Sequence, residues 1–312
     1  MTAAPPPRRR LVAIVGPTAG GKTAAAIEVA RRLARAGAAP GAVEVVSADS
    51  RQLRAGMRIG TAAPTDDELA AVRHHLVGIV APDAPWSLAE FLAAAREALE
   101  GIWARDGLPL LVGGTGQYVW ALLEGWRPPA VPPDAELRAA LEAEAAAGGV
   151  EALHARLLAI DPLAAASIDA RNPRRLIRAI EVAAAGGARG SVQPPDFDSR
   201  VIGLSWPREE IHRRADQRVE AMYAAGLVQE TLGLLARYPA SLPALRTIGY
   251  AEAARHLRGE WDLATAIERT KIATHRLIRM QAAWFRADDP RIQWVPGDDM
   301  QAVAEAVLAA SG

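Results

Sequence analysis

Residues Gly16-Pro17-Thr18-Ala19-Gly20-Gly21-Lys22-Thr23 fit the pattern G-x-x-x-x-G-K-[ST] at every fixed position, and this one stretch narrows the folds open to the chain more than any other. It follows a short apolar run at 11–15, a buried strand by its length. It precedes residues 24–36, where alanines, Ile27, Val29 and Leu33 recur at helical spacing. Strand, glycine-rich loop and helix make a P-loop. Backbone N–H groups turn inward around a phosphate at the helix N-terminus, Lys22 adds a point charge, and the Thr23 hydroxyl is placed to ligate Mg²⁺. The motif does not say which phosphate compound is bound or what happens to it.

The chain has 312 residues, enough for a sizeable core in one or two domains. No stretch approaches the ~20 apolar residues of a membrane span, and the Pro- and Arg-rich residues 1–10 lack the apolar middle of a signal peptide, so they read as a disordered tail of a cytoplasmic protein. There is no cysteine, which excludes disulfides, thiolate zinc sites and cysteine nucleophiles. The formal charge is zero, so contact with nucleic acid must rest on local basic patches. Lysine occurs only at 22 and 271 in an arginine-rich chain, which singles out Lys22 as a place where arginine would not serve.

Residues 43–46 read as a second buried strand, ending at Ser47-Ala48-Asp49-Ser50. Ligands of α/β sheets gather at carboxyl ends of strands, so Asp49 is expected to face the phosphate site as a Mg²⁺ ligand, general base or helix cap. Residues 74–80 look like another strand, with the adjacent His74 and His75 packing or capping. Residues 88–103 read as a helix, and a strand at 108–112 runs through Gly113-Gly114-Thr115-Gly116 into a helix at 117–123. Four prolines at 127–133 mark a linker, and 134–185 is helical with breaks at Gly148-Gly149, Asp161-Pro162 and Asn172-Pro173. Arg174 and Arg178 share a face of that segment by their i,i+4 spacing. They form either a solvated face or a grip on a phosphate backbone. Strand character returns at 201–205, Pro207 is expected at the first position of a helix bearing Arg208, Arg213, Arg214 and Arg218, and further helices are read at 227–237, 250–257, 263–285 and 301–310, with a last strand at 292–295. The expected fold is α/β: a P-loop NTPase-like parallel sheet flanked by helices, formed by 11–126 and 199–312, with a helical insertion domain at 127–198.

These pieces serve a small-molecule kinase or an ATPase as well as any enzyme that handles a pyrophosphate. A GTPase is disfavoured because Thr270-Lys271-Ile272-Ala273 lacks the aspartate of a base-reading motif. A longer, ordered set of motifs discriminates further. The P-loop is followed by Asp49-Ser50-Arg51-Gln52, Met57-Arg58-Ile59-Gly60-Thr61-Ala62-Ala63-Pro64, Leu111-Val112-Gly113-Gly114-Thr115-Gly116-Gln117-Tyr118, Asn172-Pro173-Arg174-Arg175-Leu176-Ile177-Arg178-Ala179-Ile180-Glu181 and Ile248-Gly249-Tyr250. In this order, over roughly residues 11–295, the chain resembles the tRNA dimethylallyltransferases, which prenylate the adenine immediately 3′ of the anticodon.

The resemblance implies a set of roles. The P-loop, Gly16 to Thr23, would bind the pyrophosphate of dimethylallyl pyrophosphate rather than ATP, with Mg²⁺ held partly by Thr23. Lys22 and Arg218 would stabilise the leaving pyrophosphate, Asp49 would take the proton from adenine N6, and Thr115 would lie near the reacting centre. Asp49, Ser50, Arg51 and Gln52, the segment Arg174, Arg175, Leu176, Ile177 and Arg178, and Arg246, Gly249 and Tyr250 would contact tRNA. The expected partners are thus the tRNA anticodon loop and dimethylallyl pyrophosphate, with no membrane and no second subunit. The chain departs from the family pattern at Gly20, where serine is usual, and at Leu53, Ala63, Gly78 and Met280. An adenylate isopentenyltransferase acting on free nucleotide is the nearest alternative, and a P-loop kinase or ATPase the more distant one.

Overall fold

The computed structural model describes residues 9–39, 41–188 and 190–311. The chain divides into two compact units, one of Met1–Glu124 with Pro195–Gly312 and a second of Gly125–Pro194. The first unit begins with β1 (Arg10–Val15), α1 (Lys22–Arg35), β2 (Val43–Ser47), α2 (Asp66–Ala71), β3 (Arg73–His75), α3 (Leu88–Trp103), β4 (Leu108–Val112) and α4 (Gly116–Leu123). The second unit holds β5 (Trp126–Arg127), α5 (Ala135–Ile160), α6 (Pro162–Ser167), α7 (Pro173–Ala184) and β6 (Ser191–Val192). The first unit resumes with β7 (Asp198–Ser205), α8 (Arg208–Ala224), α9 (Leu227–Leu235), a short 3-10 helix at Pro243–Arg246, α10 (Tyr250–Leu257), α11 (Leu263–Trp284), β8 (Ile292–Pro296) and α12 (Met300–Ser311). Of the expected tail, residues 1–8 lie outside the described residues, while Arg10 already opens β1, paired with Asp198.

In the first unit six parallel strands form one sheet in the order β3-β2-β4-β1-β7-β8, so a P-loop-type α/β sheet is what this sequence builds. Strands β1 and β4 are apolar on both faces because helices cover both, as parallel sheets require. Val12, Ile14, Leu110, Val112, Ile202 and Leu204 alternate along their strands toward α1 and α12. On α3 and α4, Phe91 stacks on Tyr118 with ring centroids 3.9 Å apart. Register then positions the chemistry. Val112 of β4 lies level with Ile14 of β1 and with Ser47 of β2, so three neighbouring strands end at one height. The loops leaving them open onto the same edge.

The second unit packs α5, α6 and α7 around Leu141, Leu153, Leu157, Leu176, Ile177 and Ile180, with β5 and β6 as an antiparallel ribbon. The expected break at Gly148-Gly149 is present: Gly149 takes φ 78° and ψ 173°, outside helical geometry, and parts the span of α5 into two helices across a kink. Asp161 and Asn172 cap the next two helices, each with proline at the first turn.

Two local expectations change. The strand expected at 74–80 stops at His75, because Leu76 and Gly78 adopt positive φ and the chain turns. Gly78 N–H and Val80 N–H donate instead to the carbonyls of Gln52 and Leu53, which ties this segment to the loop after β2. Pro207 caps α8 instead of occupying its first turn, since its ψ of 140° is extended. His75 bonds Glu44 at 2.6 Å, where Arg105 also reaches that buried carboxylate at 2.8 Å, so the histidine pair serves packing.

Candidate active site

The P-loop leaves β1 and enters α1. Gly21 lies at the helix N-cap with φ 87°, so the loop's turn falls where a side chain would be strained. Lys22 Nζ folds back onto the loop, donating to Gly16 O at 3.0 Å and Pro17 O at 2.7 Å. Burial pushes its ammonium down to about 8; Asp49 pulls the other way, and Arg218 adds to the depression. Thr23 lines the same cavity one residue on.

Asp49 follows β2. Its Oδ1 accepts the backbone N–H of Arg51 at 2.9 Å and of Gln52 at 3.4 Å, an Asx turn that fixes the carboxylate. The helix-cap reading of Asp49 is not met, since no helix follows it before α2; Oδ1 alone serves the turn, and the residue lines the cavity. Ser50 N–H donates to Thr115 Oγ1 at 3.0 Å, and Thr115 Oγ1 donates to Ser50 Oγ at 3.2 Å. Thr115 thereby locks the loop after β4 to the loop after β2. Gln52 spans Ser47 Oγ at 3.2 Å and Ala62 O at 2.9 Å. Burial presses the Arg51 and Arg218 guanidinium pKa values below their ordinary range, with Asp49 opposing in both cases.

Four contributors were not among the expected site residues, although Arg214 was read on its helix. Gln281, buried on α11, accepts Thr18 N–H at 2.8 Å through Oε1 and donates to Gly114 O at 3.2 Å through Nε2, bridging the P-loop to the loop after β4. A Cβ at Gly114 would overlap Gln281 Nε2, so a side chain there would displace the amide from this bridge. Arg214, one turn before Arg218, donates Nε to Ala19 O at 3.1 Å and stacks its guanidinium 4.3 Å over Trp206. Trp206 Nε1 donates to Gly20 O at 3.1 Å, and a Cβ at Gly20 would stand 2.9 Å from Pro17 O, so the residue at the departure from the family pattern is packed tightly on both sides. Glu230 accepts Arg58, Ile59 and Gly60 N–H groups at 3.0–3.4 Å and the Tyr250 hydroxyl, which fastens the 57–64 loop.

A cavity of about 1210 Å³ collects these groups: Thr18 to Thr23, Asp49 to Gln52, Thr115, Arg214, Arg218 and Gln281 all line it. The cavity thus collects the P-loop backbone, a fixed carboxylate and two guanidinium groups on one helix face, an arrangement chemically suited to an anion.

The residues expected to touch tRNA divide. Ser50, Arg174, Arg175 and Arg246 are exposed, and Arg51 and Gln52 are half-buried at the cavity wall. Leu176 and Ile177 are corrections to the expected segment: both are buried in the core of the helical unit, where with Ile180 they form the apolar face of α7 that packs on Leu141, Leu153 and Leu157. Arg178 pairs with Glu181 at 3.4 Å and donates to Val131 O at 2.6 Å, a structural tie that holds it against its own unit. Gly249 and Tyr250 are also corrections. Both are buried, and the Tyr250 hydroxyl serves Glu230 and Gly60 N–H, so its phenol pKa is driven up by burial and by that carboxylate.

Comparison with known proteins gives a consistent picture. The family model described as IPP transferase matches residues 52–288. A tRNA dimethylallyltransferase of Chloroflexus aurantiacus is 49% identical over 291 residues, covering 92% of this chain and 96% of the relative. One from a Roseiflexus species is 48% identical over 305 residues, covering 96% and 97%. The crystal structure of the full-length tRNA isopentenylpyrophosphate transferase of Bacillus halodurans superposes with a TM-score of 0.70 at 34% identity, covering 97% of each chain. A eukaryotic dimethylallyltransferase captured acting on tRNA shares the fold, with a TM-score of 0.73 at 21% identity, covering 94% of this chain and 75% of that one.

Proposed function

The chain belongs to the IPP transferase family, and from that premise we propose that it moves a dimethylallyl group from dimethylallyl pyrophosphate to N6 of the adenine immediately 3′ of the anticodon of tRNA, releasing pyrophosphate. One observation carries the reading: the level ends of β1, β2 and β4 bring the P-loop, Asp49 and Thr115 into a single cavity.

The chemistry asks for what these residues supply. Adenine N6 is a poor nucleophile because its lone pair is delocalised into the ring, so attack needs close positioning and a proton acceptor. As N6 bonds to C1 of the allyl group, the C1–O bond breaks and its electron pair leaves on pyrophosphate. The N6 proton passes to Asp49, whose turn holds it still and whose second oxygen has no hydrogen-bond donor among the described residues. Lys22 and Arg218 stabilise the charge that grows on the departing pyrophosphate. A pyrophosphate is also a stronger acceptor for Lys22 than the loop carbonyls it rests on now.

The site suits Mg²⁺. Among the described residues no cluster of three or more His, Cys, Asp or Glu is arranged to hold a metal, so a cation beside the Thr23 hydroxyl would draw its other ligands from phosphate oxygens and water, the coordination Mg²⁺ prefers. When bound, it would neutralise part of the leaving-group charge.

The target adenine has to leave the anticodon stack to enter such a cavity. Exposed Arg174 and Arg175 on the helical unit and Arg246 on the sheet unit would meet the RNA backbone, which explains how a chain of zero net charge binds a polyanion. Among the described residues no helix is long and apolar enough to cross a membrane, and we place the enzyme in the cytoplasm as a monomer. The P-loop kinase or ATPase and the adenylate isopentenyltransferase are not favoured, because relatives matched over nearly their full length are named for tRNA.

The test is to incubate the protein with Mg²⁺, labelled dimethylallyl pyrophosphate and unmodified tRNA, and in parallel with AMP. Label on tRNA is expected. Label on AMP alone, or ATP hydrolysis without label on either, would overturn the proposal.

A further inference from the structure

On α8, Arg213 and Arg214 are neighbours with different surroundings. Arg213 faces outward and is neutralised by Glu210, to which it makes two bonds of 2.8 and 2.6 Å. Arg214 lies on the cavity face with Arg218, four residues and one turn further along the same helix. Neither of the inner pair has an acidic partner within ion-pair distance among the described residues. Two guanidinium groups on adjacent turns repel one another, and the charge of Arg214 adds to the depression of the Arg218 pKa that burial begins. Asp49 and Glu68 offset part of that cost at longer range, and two guanidinium groups facing one cavity are a field that favours an incoming anion.

The fixing of Arg214 is specific. Its Nε is committed to Ala19 O at 3.1 Å, and the plane of the guanidinium lies over Trp206 at 4.3 Å. Trp206 is held in turn by its bond to Gly20 O at 3.1 Å. With Nε and one face used, the two terminal nitrogens remain as a fork beside the P-loop. Lys22, by comparison, offers a single compact charge.

We propose that Arg214 is a second catalytic guanidinium, which donates through its terminal nitrogens to the leaving pyrophosphate, and that Trp206 is the positioning residue that fixes it to the P-loop. This rests on the reaction proposed above. In the step that breaks the C1–O bond, the electron pair goes to the bridging oxygen, and charge spreads over the pyrophosphate oxygens. Arg214 and Arg218 take up that charge from the helix side, while Lys22 and the loop N–H groups take it from the other.

Inorganic pyrophosphate is the probe, because its binding is read without prenyl transfer. In Arg214→Ala the dissociation constant for pyrophosphate should rise about ten- to a hundredfold, the size expected for a lost charge-assisted hydrogen-bonding pair, and kcat for prenyl transfer should fall by a comparable factor. Arg214→Lys, which keeps the charge and loses the fork, should fall between Arg214→Ala and the parent. Trp206→Leu should weaken pyrophosphate in the same direction, while affinity for unmodified tRNA stays within about twofold in all three. Pyrophosphate affinity within about twofold of the parent in both Arg214 variants would overturn the inference. Should Arg214→Ala fail to fold, Arg214→Lys carries the same test. A parent protein that binds pyrophosphate through Arg214 but labels no tRNA would sink the proposed reaction and leave this anion site standing.

Discussion

Gln281→Leu is the perturbation that tests most directly how this site is held. The side chain is buried, and its two ends satisfy Thr18 N–H at 2.8 Å and Gly114 O at 3.2 Å, groups that belong to different loops. Leucine nearly conserves the volume, so cavity formation contributes little and the cost is that of the buried Gly114 carbonyl and the half-buried Thr18 N–H left without partners. Each costs about 1–3 kcal/mol, giving about 2–6 kcal/mol in total, with water entering from the adjoining cavity favouring the lower end. For a unit of this size about 1 kcal/mol corresponds to roughly 2–4 °C in Tm, so the melting temperature should fall by about 4–24 °C. The same change unties the P-loop from the loop that carries Thr115, so pyrophosphate affinity should fall as well. Calorimetry or circular dichroism on the full chain gives the first quantity and titration with pyrophosphate the second. A Tm within about 2 °C of the parent, with unchanged pyrophosphate affinity, would refute the bridge as a structural element.

Asp49→Ala should abolish prenyl transfer and spare tRNA binding; turnover near the parent rate removes Asp49 as the proton acceptor. Lys22 gives a pH signature. Its ammonium pKa is about 8 in the folded protein against 10.5 as its ordinary value, so between those two pH values the unfolded chain binds more protons and stability rises with pH. The burial cost is fully present below pH 8 and is relieved by about 3 kcal/mol as pH approaches 10.5. Denaturant melts of the parent minus Lys22→Met should show that rise, and parallel curves would contradict it. Arg174→Glu with Arg175→Glu should weaken tRNA binding and reduce the slope of log affinity against log salt by about 1 or more per residue, whereas an unchanged slope returns both to a solvated face. Arg178→Glu should instead loosen the helical unit, because it places a second carboxylate beside buried Glu181; an undiminished melting temperature for that variant speaks against the tie.

The strand-and-helix plan of the sheet unit was legible because its signals are local. Apolar runs of about five residues at 11–15, 43–46 and 108–112 are what a strand buried on both faces looks like, and the structure places β1, β2 and β4 there. The segment at 74–80 misled for the same reason. Leu76 and Val80 are buried while Ile79 is exposed, and positive φ at Leu76 and Gly78 turns the chain so that Gly78 and Val80 N–H groups bond the Gln52 and Leu53 carbonyls, a non-local partnership. Within the arginine segment the pattern conveyed charge, but helical geometry divided its members into exposed Arg174 and Arg175, structural Arg178 and buried Leu176 and Ile177. Tyr250 looked like a recognition residue beside a glycine and proved to be a strut for Glu230.

By itself the sequence determined the P-loop and the buried strands leading into it, with the acid and the glycine turn at successive strand ends and the ordered motifs that mark the family. All of these are written within a few residues, at the periods of backbone structure. Only the tertiary structure decided how the strand ends stand level, which carboxylate oxygen of Asp49 is committed, and which distant side chains hold the loops. Gln281 meets Thr18 across 263 positions and Arg214 meets Ala19 across 195. Partners so far apart leave no periodic trace, because the packing of helices on the sheet brings them together and the local backbone carries no record of it.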